Sequence, residues 1–367
     1  MTMLGMPTLP PRPSQQTSGP VAFTTGHHFT ITGQASAEEL ADAATAPLSV
    51  ILQVTKRCNF DCSFCSETLQ LPDPSLAELD TIRTNLAGVT RVFLSGGEPL
   101  LRRDFGDIID MYTPDFIVGV PTNATRGLTH AKAMVGKVAF VNVGLEGPRA
   151  TTNRVRGDYD QVMAGIRAFA EHGLPMSLST VVYRSILHAL PFTYQIADTI
   201  GAGKLKLILP LRKGNALDLD EHEFISTDEA ERTFDRLTEA RTLHDWRPAL
   251  RMTAWTPQTE GHMILIEVTG QASAWPVFDA PDLLEPLGNL LHEPVSEIWQ
   301  RYRFKRNHFA KYLGTSIRTV AGASTSTRSG GHPHASPPTA LLAALSTLPR
   351  PPPLPTATGP AHGRRPR

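Results

Sequence analysis

Between Leu48 and Leu209 short β-branched runs alternate with helix-period patterns, and this alternation leaves few folds open. The runs Leu48–Thr55, Thr90–Leu94, Phe116–Val120, Val138–Gly144, Met176–Val182 and Leu205–Leu209 read as strands. Helical patterns fall between them at Leu76–Leu86, Phe105–Tyr112, Thr129–Val135, Tyr159–His172 and Ala189–Ile200. Strands separated by single helices become parallel neighbours, because the crossover returns the chain to the same side of the sheet. The expected class is α/β: a partial (β/α)6 TIM-like barrel over 48–215, with its chemistry in the loops that follow the strands.

The flanks differ from this core. Residues 1–47 form an N-terminal extension whose first twenty residues carry five prolines, and 317–367 carry ten prolines with no acid. Neither end has the apolar content to offset the entropy of ordering, so disordered termini are expected. Between them, 216–316 reads as an α+β extension, with a helix at Thr227–Thr242, strands at Leu250–Ala254 and Met263–Val268, and a helix at Val295–Tyr302. After Glu297 there are eleven Lys and Arg and no Asp or Glu, and the composition shifts abruptly past Tyr312. A shifted reading frame in a GC-rich gene would produce such a tail; mass spectrometry of the native protein tests that hypothesis.

Thirty-five basic and thirty-five acidic residues cancel, so no global field argues for nucleic acid or an anionic membrane. A secretory signal and a long apolar span are both missing from the pattern, which makes a cytoplasmic protein the expectation. The only three cysteines, Cys58, Cys62 and Cys65, lie within eight residues of one another. That clustering is incompatible with a disulfide framework and points to metal or redox chemistry. Spaced CxxxCxxC on the polar loop after the first strand, three thiolates can hold three irons of a cubane and leave the fourth open. A zinc site normally takes four ligands in paired arrangements, and here a distant His would have to complete it.

In this loop, TKRCNFDCSFC, and in SGGEPLLRRDF after the second strand, the sequence resembles the radical S-adenosylmethionine (SAM) superfamily. The resemblance implies a 4Fe-4S cluster on Cys58, Cys62 and Cys65, with the methionine moiety of SAM on the open iron. It implies reductive cleavage of SAM to a 5′-deoxyadenosyl radical, with a flavodoxin- or ferredoxin-type protein as electron donor. Phe64, the aromatic before the last cysteine, takes the adenine-positioning role. Gly96, Gly97, Glu98 and Pro99 match the family's GGEP, where two glycines permit close backbone approach to a ligand and Glu98 accepts from the methionine ammonium. Thr122 and Asn123 match a Thr-Asn pair near SAM, although Ala124 replaces the usual glycine. VGLEGPRATTNRVRGDYDQV resembles the fourth-strand region, with Gly144 for Ser, Glu146 for Asp, and Arg156 and Gly157 retained. Glu146 either contacts the SAM ribose or substrate, or is a solvated loop carboxylate. Ser179 and Thr180 match polar contacts to SAM, or are strand-surface hydroxyls.

After the sixth strand, Lys206, Arg212 and Lys213 either meet a substrate carboxylate or phosphate, or form a solvated basic loop. The C-terminal GNLLHEPVSEIW resembles a segment that in many family members sits among cysteines for auxiliary clusters, and none of those cysteines is here. That disfavours peptide modification and favours a single-cluster enzyme acting on a small polar metabolite. Its overall look is that of enzymes in antibiotic pathways that decarboxylate a nucleoside uronic acid. A sugar or nucleoside epimerase or dehydrogenase, a peptide-modifying enzyme and a non-catalytic Fe-S protein are the alternatives.

Overall fold

A computed structural model describes residues 35–67, 69–277 and 286–314, and the backbone of 318–320. The expected disorder of residues 1 to about 20 and of 321–367 lies outside these residues, whereas 318–320, expected to be disordered, form a strand that pairs antiparallel with Leu250–Met252.

The strands are β1 (Ser49–Thr55), β2 (Arg91–Gly96), β3 (Ile117–Thr122), β4 (Phe140–Gly144), β5 (Met176–Val181), β6 (Lys204–Ile208), β7 (Ala249–Thr253), β8 (Met263–Ile266), β9 (Gln271–Trp275), β10 (Gly288–Asn289) and β11 (Arg318–Val320). The helices are α1 (Ala37–Ala43), α2 (Leu76–Asn85), α3 (Phe105–Tyr112), α4 (Gly127–Met134), α5 (Arg149–Val155), α6 (Tyr159–Glu171), α7 (Leu190–Thr199), α8 (Thr227–Leu243), α9 (Val295–Arg301) and α10 (Lys305–Leu313). All strands belong to one sheet, ordered β10-β9-β8-β1-β2-β3-β4-β5-β6-β7-β11, in which β1 to β7 are parallel. The six expected barrel strands are present. The two strands expected in the extension join the same sheet on opposite sides, β7 beside β6 and β8 parallel to β1.

Local signals fix the helix starts. Ser36 with Glu39, and Ser75 with Glu78, close reciprocal capping boxes on α1 and α2, while Asp158 accepts from two amides at the start of α6. Each parallel strand then presents two chemically distinct faces. Val50, Leu52 and Val54 of β1, Val92 and Leu94 of β2, Val118 and Val120 of β3, and Leu205 and Leu207 of β6 are buried in the core with the helices. The register puts the polar residues on the other, concave face: Gln53 pairs with Ser95, Asn142 with Ser177, Ser179 with Lys206, Lys206 with Arg251, and Leu265 with Ser273.

One end of the sheet is tied by the C-terminal helices. The His308 Nε2 accepts from the Leu48 amide at 2.9 Å, and the Trp299 Nε1–H donates to Ala44 O at 2.9 Å. Among the described residues no helix is long and apolar enough to cross a membrane.

Candidate active site

Chemistry collects at the other end, beyond the C-terminal ends of the strands. The cysteine loop leaves β1 and is held from three sides. From β2, the Gly97 amide donates to Thr55 O at 2.9 Å and the Glu98 amide to Arg57 O at 2.8 Å. A Cβ at Gly97 would lie 2.4 Å from Arg57 O, and one at Gly96, whose φ is +152°, 2.2 Å from Thr55 O. Both glycines are therefore demanded by the backbone of the cysteine loop. From α5, Val155 O accepts the Ser63 amide at 3.1 Å, and Gly157 lies so close under the Phe60 ring that a Cβ would clash at 2.5 Å. From the loop after β6, the Asn215 amide donates to Cys65 O at 2.9 Å and its Nδ2 to Cys62 O at 3.0 Å and Asp61 Oδ1 at 2.7 Å.

Cys58 is exposed, Cys65 half-buried and Cys62 buried. Burial raises all three thiol pKa values, that of Cys62 to about 12, with the Arg156 charge opposing the rise there. Thiols this reluctant to ionise become thiolates when a metal takes the proton's place. Among the described residues no three His, Cys, Asp or Glu side chains converge on one ion position. Three sulfur donors spread over one loop and held by its backbone match an iron-sulfur cubane, whose irons each take their own thiolate. The donor set fits the cluster.

Glu98 is fully buried. Its Oε1 accepts from Thr122 Oγ1 at 2.7 Å and the Leu100 amide at 3.0 Å, and its Oε2 from the Asn123 amide at 2.6 Å. Burial pushes its pKa up to about 7 against the pull of those hydrogen bonds. These bonds join GGEP to the Thr122-Asn123 loop through Glu98. Asn123 Nδ2 in turn donates to Asn59 Oδ1 at 2.9 Å and lies 4.0 Å from Cys58 Sγ. Ala124, where the family usually has glycine, sits at a left-handed φ of 65°.

Glu146 is neither a solvated carboxylate nor open to a ligand. It is buried, and both its oxygens are taken by Arg156, whose Nε donates at 2.5 Å and Nη2 at 2.7 Å. Burial works against the Arg156 charge, but the Glu146 charge and hydrogen bonds outweigh it and raise the guanidinium pKa. That guanidinium packs where a side chain at position 144 would be, since a Cβ there would meet Nη2 at 2.4 Å, so Gly144 stands for Ser to admit Arg156. Its other neighbour is the Phe64 ring, 4.9 Å from Cζ to centroid, and Phe64 lies 5.8 Å from the Tyr183 ring. Arg156 and Asn215 are the site residues that sequence reasoning left without a role. The retained Arg-Gly pair and the Gly-Asn after a strand end were their only signals.

Ser179 accepts from Asn142 Nδ2 at 3.0 Å on the concave face, and Ser177 donates to Asn142 Oδ1 at 2.8 Å. Lys206 stands beside Ser179 on the same face, whereas Arg212 does not join it. Arg212 is exposed, 3.1 Å from Glu221 and 4.2 Å over the Phe224 ring, and Lys213 lies 5.8 Å from the Trp275 ring. The expected Lys206–Arg212 group is therefore split between the lumen and the rim, because the strand ends between them.

Residues 52–186 match the family model described as the radical SAM superfamily. A probable GTP 3′,8-cyclase of Halobacterium salinarum is 29% identical over 270 residues, 65% of this chain and 72% of that one. A PqqA peptide cyclase of Rhodopseudomonas palustris is 32% identical over 186 residues, 46% of this chain, which spans about half (48%) of that protein's length. The structure of anSMEcpe with bound AdoMet superposes with a TM-score of 0.58 at 16% identity, over 72% of this chain and 83% of that one, and shows the fold to be shared. On the matched segment, the three-cysteine loop and this common fold, residues 52–186 are a radical SAM domain, and that family implies a 4Fe-4S cluster and SAM as cofactors.

Proposed function

We propose that this radical SAM enzyme abstracts hydrogen from a small polar metabolite and decarboxylates it, the substrate being a sugar acid or nucleoside uronic acid of an antibiotic pathway. One observation carries the reading: the loop that would hold the cluster sits at the C-terminal ends of strands whose concave face bears Lys206, a cation with no ion pair or hydrogen bond among the described residues. When bound, the cluster supplies the electron that splits SAM and yields the 5′-deoxyadenosyl radical. The chain's own residues do the rest. Cys58, Cys62 and Cys65 hold the metal; Gly96, Gly97 and Asn215 fix their backbone; Glu98 orders Thr122 and Asn123 beside them; and Arg156 holds Phe64 as a flat wall for the adenine. Ser179 supplies a polar contact on the strand that leads from SAM to Lys206. Arg212 at the rim, with Glu146 acting only through Arg156, completes the assignment.

The reading places the protein in the reducing cytoplasm that three free thiols require, with a flavodoxin- or ferredoxin-type donor. The similarity to a probable GTP 3′,8-cyclase and to a PqqA peptide cyclase favours a second reading, ring closure within a nucleotide or a precursor peptide. The test is anaerobic incubation of the reconstituted protein with SAM, dithionite and carboxyl-labelled uronic-acid nucleosides. Labelled carbon dioxide is expected; a ring-closed product from GTP or a peptide, with no carbon dioxide from any uronate, would transfer the assignment to the second reading.

A further inference from the structure

Four side chains on the concave face lack what their chemistry requires. Gln53 Oε1, Thr253 Oγ1 and Ser273 Oγ are buried without a hydrogen-bond partner, and their residues are 3%, 1% and 1% exposed. Buried polar atoms are nearly always paired, so each of these three, on one face of the sheet, is a polar atom that the protein alone leaves unsatisfied. Their common orientation follows from the register: Ile51, in phase with Gln53, opposes Leu265, which opposes Ser273, and Thr253 is in phase with Arg251, the partner of Lys206. Lys206 is the fourth, an ammonium with no acid beside it.

The neighbourhood is basic throughout, and burial together with mutual repulsion lowers the pKa of Lys204 to about 7, of Lys206 to about 8 and of Lys311 well below the usual lysine range. Arg251 flanks Lys206 on β7, Lys204 lies two residues back on β6, Arg91 projects from β2, and Lys311 comes from α10. Lys204 rests against the Phe140 ring and Arg251 reaches Lys311 O at 3.4 Å, so neither has an acid as partner. An anionic guest beside these amines would favour their charged forms and offset the burial that opposes them.

We propose that the concave face binds a small polyhydroxylated anion, with Lys206 meeting the anionic group and Gln53, Thr253 and Ser273 meeting hydroxyls. The amide oxygen of Gln53 can only accept, so it demands an O–H or N–H from the ligand, whereas the two hydroxyls serve either way. Lys206 is a compact point charge rather than a planar fork, which suits a carboxylate or a phosphate. This inference rests on the proposed function in placing the substrate in the lumen, and it adds the residues that recognise it.

The test uses the cluster-loaded full chain with SAM and without reductant, and measures binding of D-glucuronate, D-glucose 6-phosphate and D-glucose by ligand-observed NMR. At least one anion should bind about tenfold or more tightly than glucose, and the preferred one identifies the group as carboxylate or phosphate. Lys206→Met should weaken that anion by about 10- to 100-fold and leave glucose unchanged. Thr253→Val should weaken both sugars about three- to tenfold without lowering the thermal midpoint, since the deleted hydroxyl has no internal partner. Equal binding of all three probes, or unaltered anion binding in Lys206→Met, overturns the inference. Selective binding with no carbon dioxide from any uronate leaves this inference standing and removes only the decarboxylation reading.

Discussion

Arg156→Met tests how the SAM side of the barrel is held together. The substitution keeps an unbranched side chain over Gly144 but removes both hydrogen bonds to Glu146, which is fully buried and whose remaining contact is the Val181 amide at 3.5 Å. Deleting one partner of a buried ion pair costs about 3–5 kcal/mol, because the other charge stays desolvated. For a domain of this size each kcal/mol lowers the midpoint by roughly 2–4 °C, so a fall of about 6–20 °C is expected. The assay is circular dichroism melting and urea titration of the full chain under reducing, anaerobic conditions, with Glu146→Gln and the double variant alongside. The double variant should recover most of the loss, since a neutral amide beside a thioether leaves no stranded charge. A loss below about 1 kcal/mol in Arg156→Met, or purely additive single effects in the cycle, would refute the claim that this pair organises the site.

Three further outcomes follow from the geometry. Glu98, with its pKa raised from 4.5 to about 7, binds more protons folded than unfolded, so its contribution is full below pH 4.5 and is lost as pH rises through 7. Urea midpoints between pH 5 and 8 should therefore slope downward by up to about 3 kcal/mol, and Glu98→Gln should flatten that slope. Ala124→Gly relieves a left-handed φ of 65° and is expected to raise stability by up to about 1 kcal/mol, read from the melting midpoint. Asn215→Ala removes the side-chain bonds to Cys62 O and Asp61 and should cost about 1–2 kcal/mol, with several-fold faster iron loss to a chelator.

How much of this was legible in the sequence depended on whether the signal was local. The six barrel strands carry β-branched runs and were readable, as were the cysteines and GGEP, whose meaning lies in spacing along one strand-loop unit. The strand β9 was missed because Gln271-Ala-Ser-Ala-Trp275 has small residues of low β propensity and owes its conformation to β8 beside it. The helix α5 was missed too, since Arg149–Val155 spans only seven residues and offers too few turns to show a period. Glu146 and Arg156 are ten residues apart, and their pairing across α5 is a tertiary fact that no periodicity announces. Lys206 and Arg212 looked like one basic group because they are close in sequence. A strand end between them sends one into the lumen and leaves the other beside Glu221 at the surface. The backbone crowding at Gly96 and Gly97 was not legible, because a close approach looks the same in sequence whether its object is a ligand or the neighbouring backbone.

The central claim is that three thiolates on one loop make this chain a SAM-cleaving enzyme. The direct measurement is 5′-deoxyadenosine formed by wild type and Cys62→Ala after anaerobic reconstitution with iron and sulfide and incubation with SAM and dithionite. The account expects 5′-deoxyadenosine from wild type and none above background from the variant; a fully loaded wild-type cluster that releases none, with candidate substrates present, would contradict it.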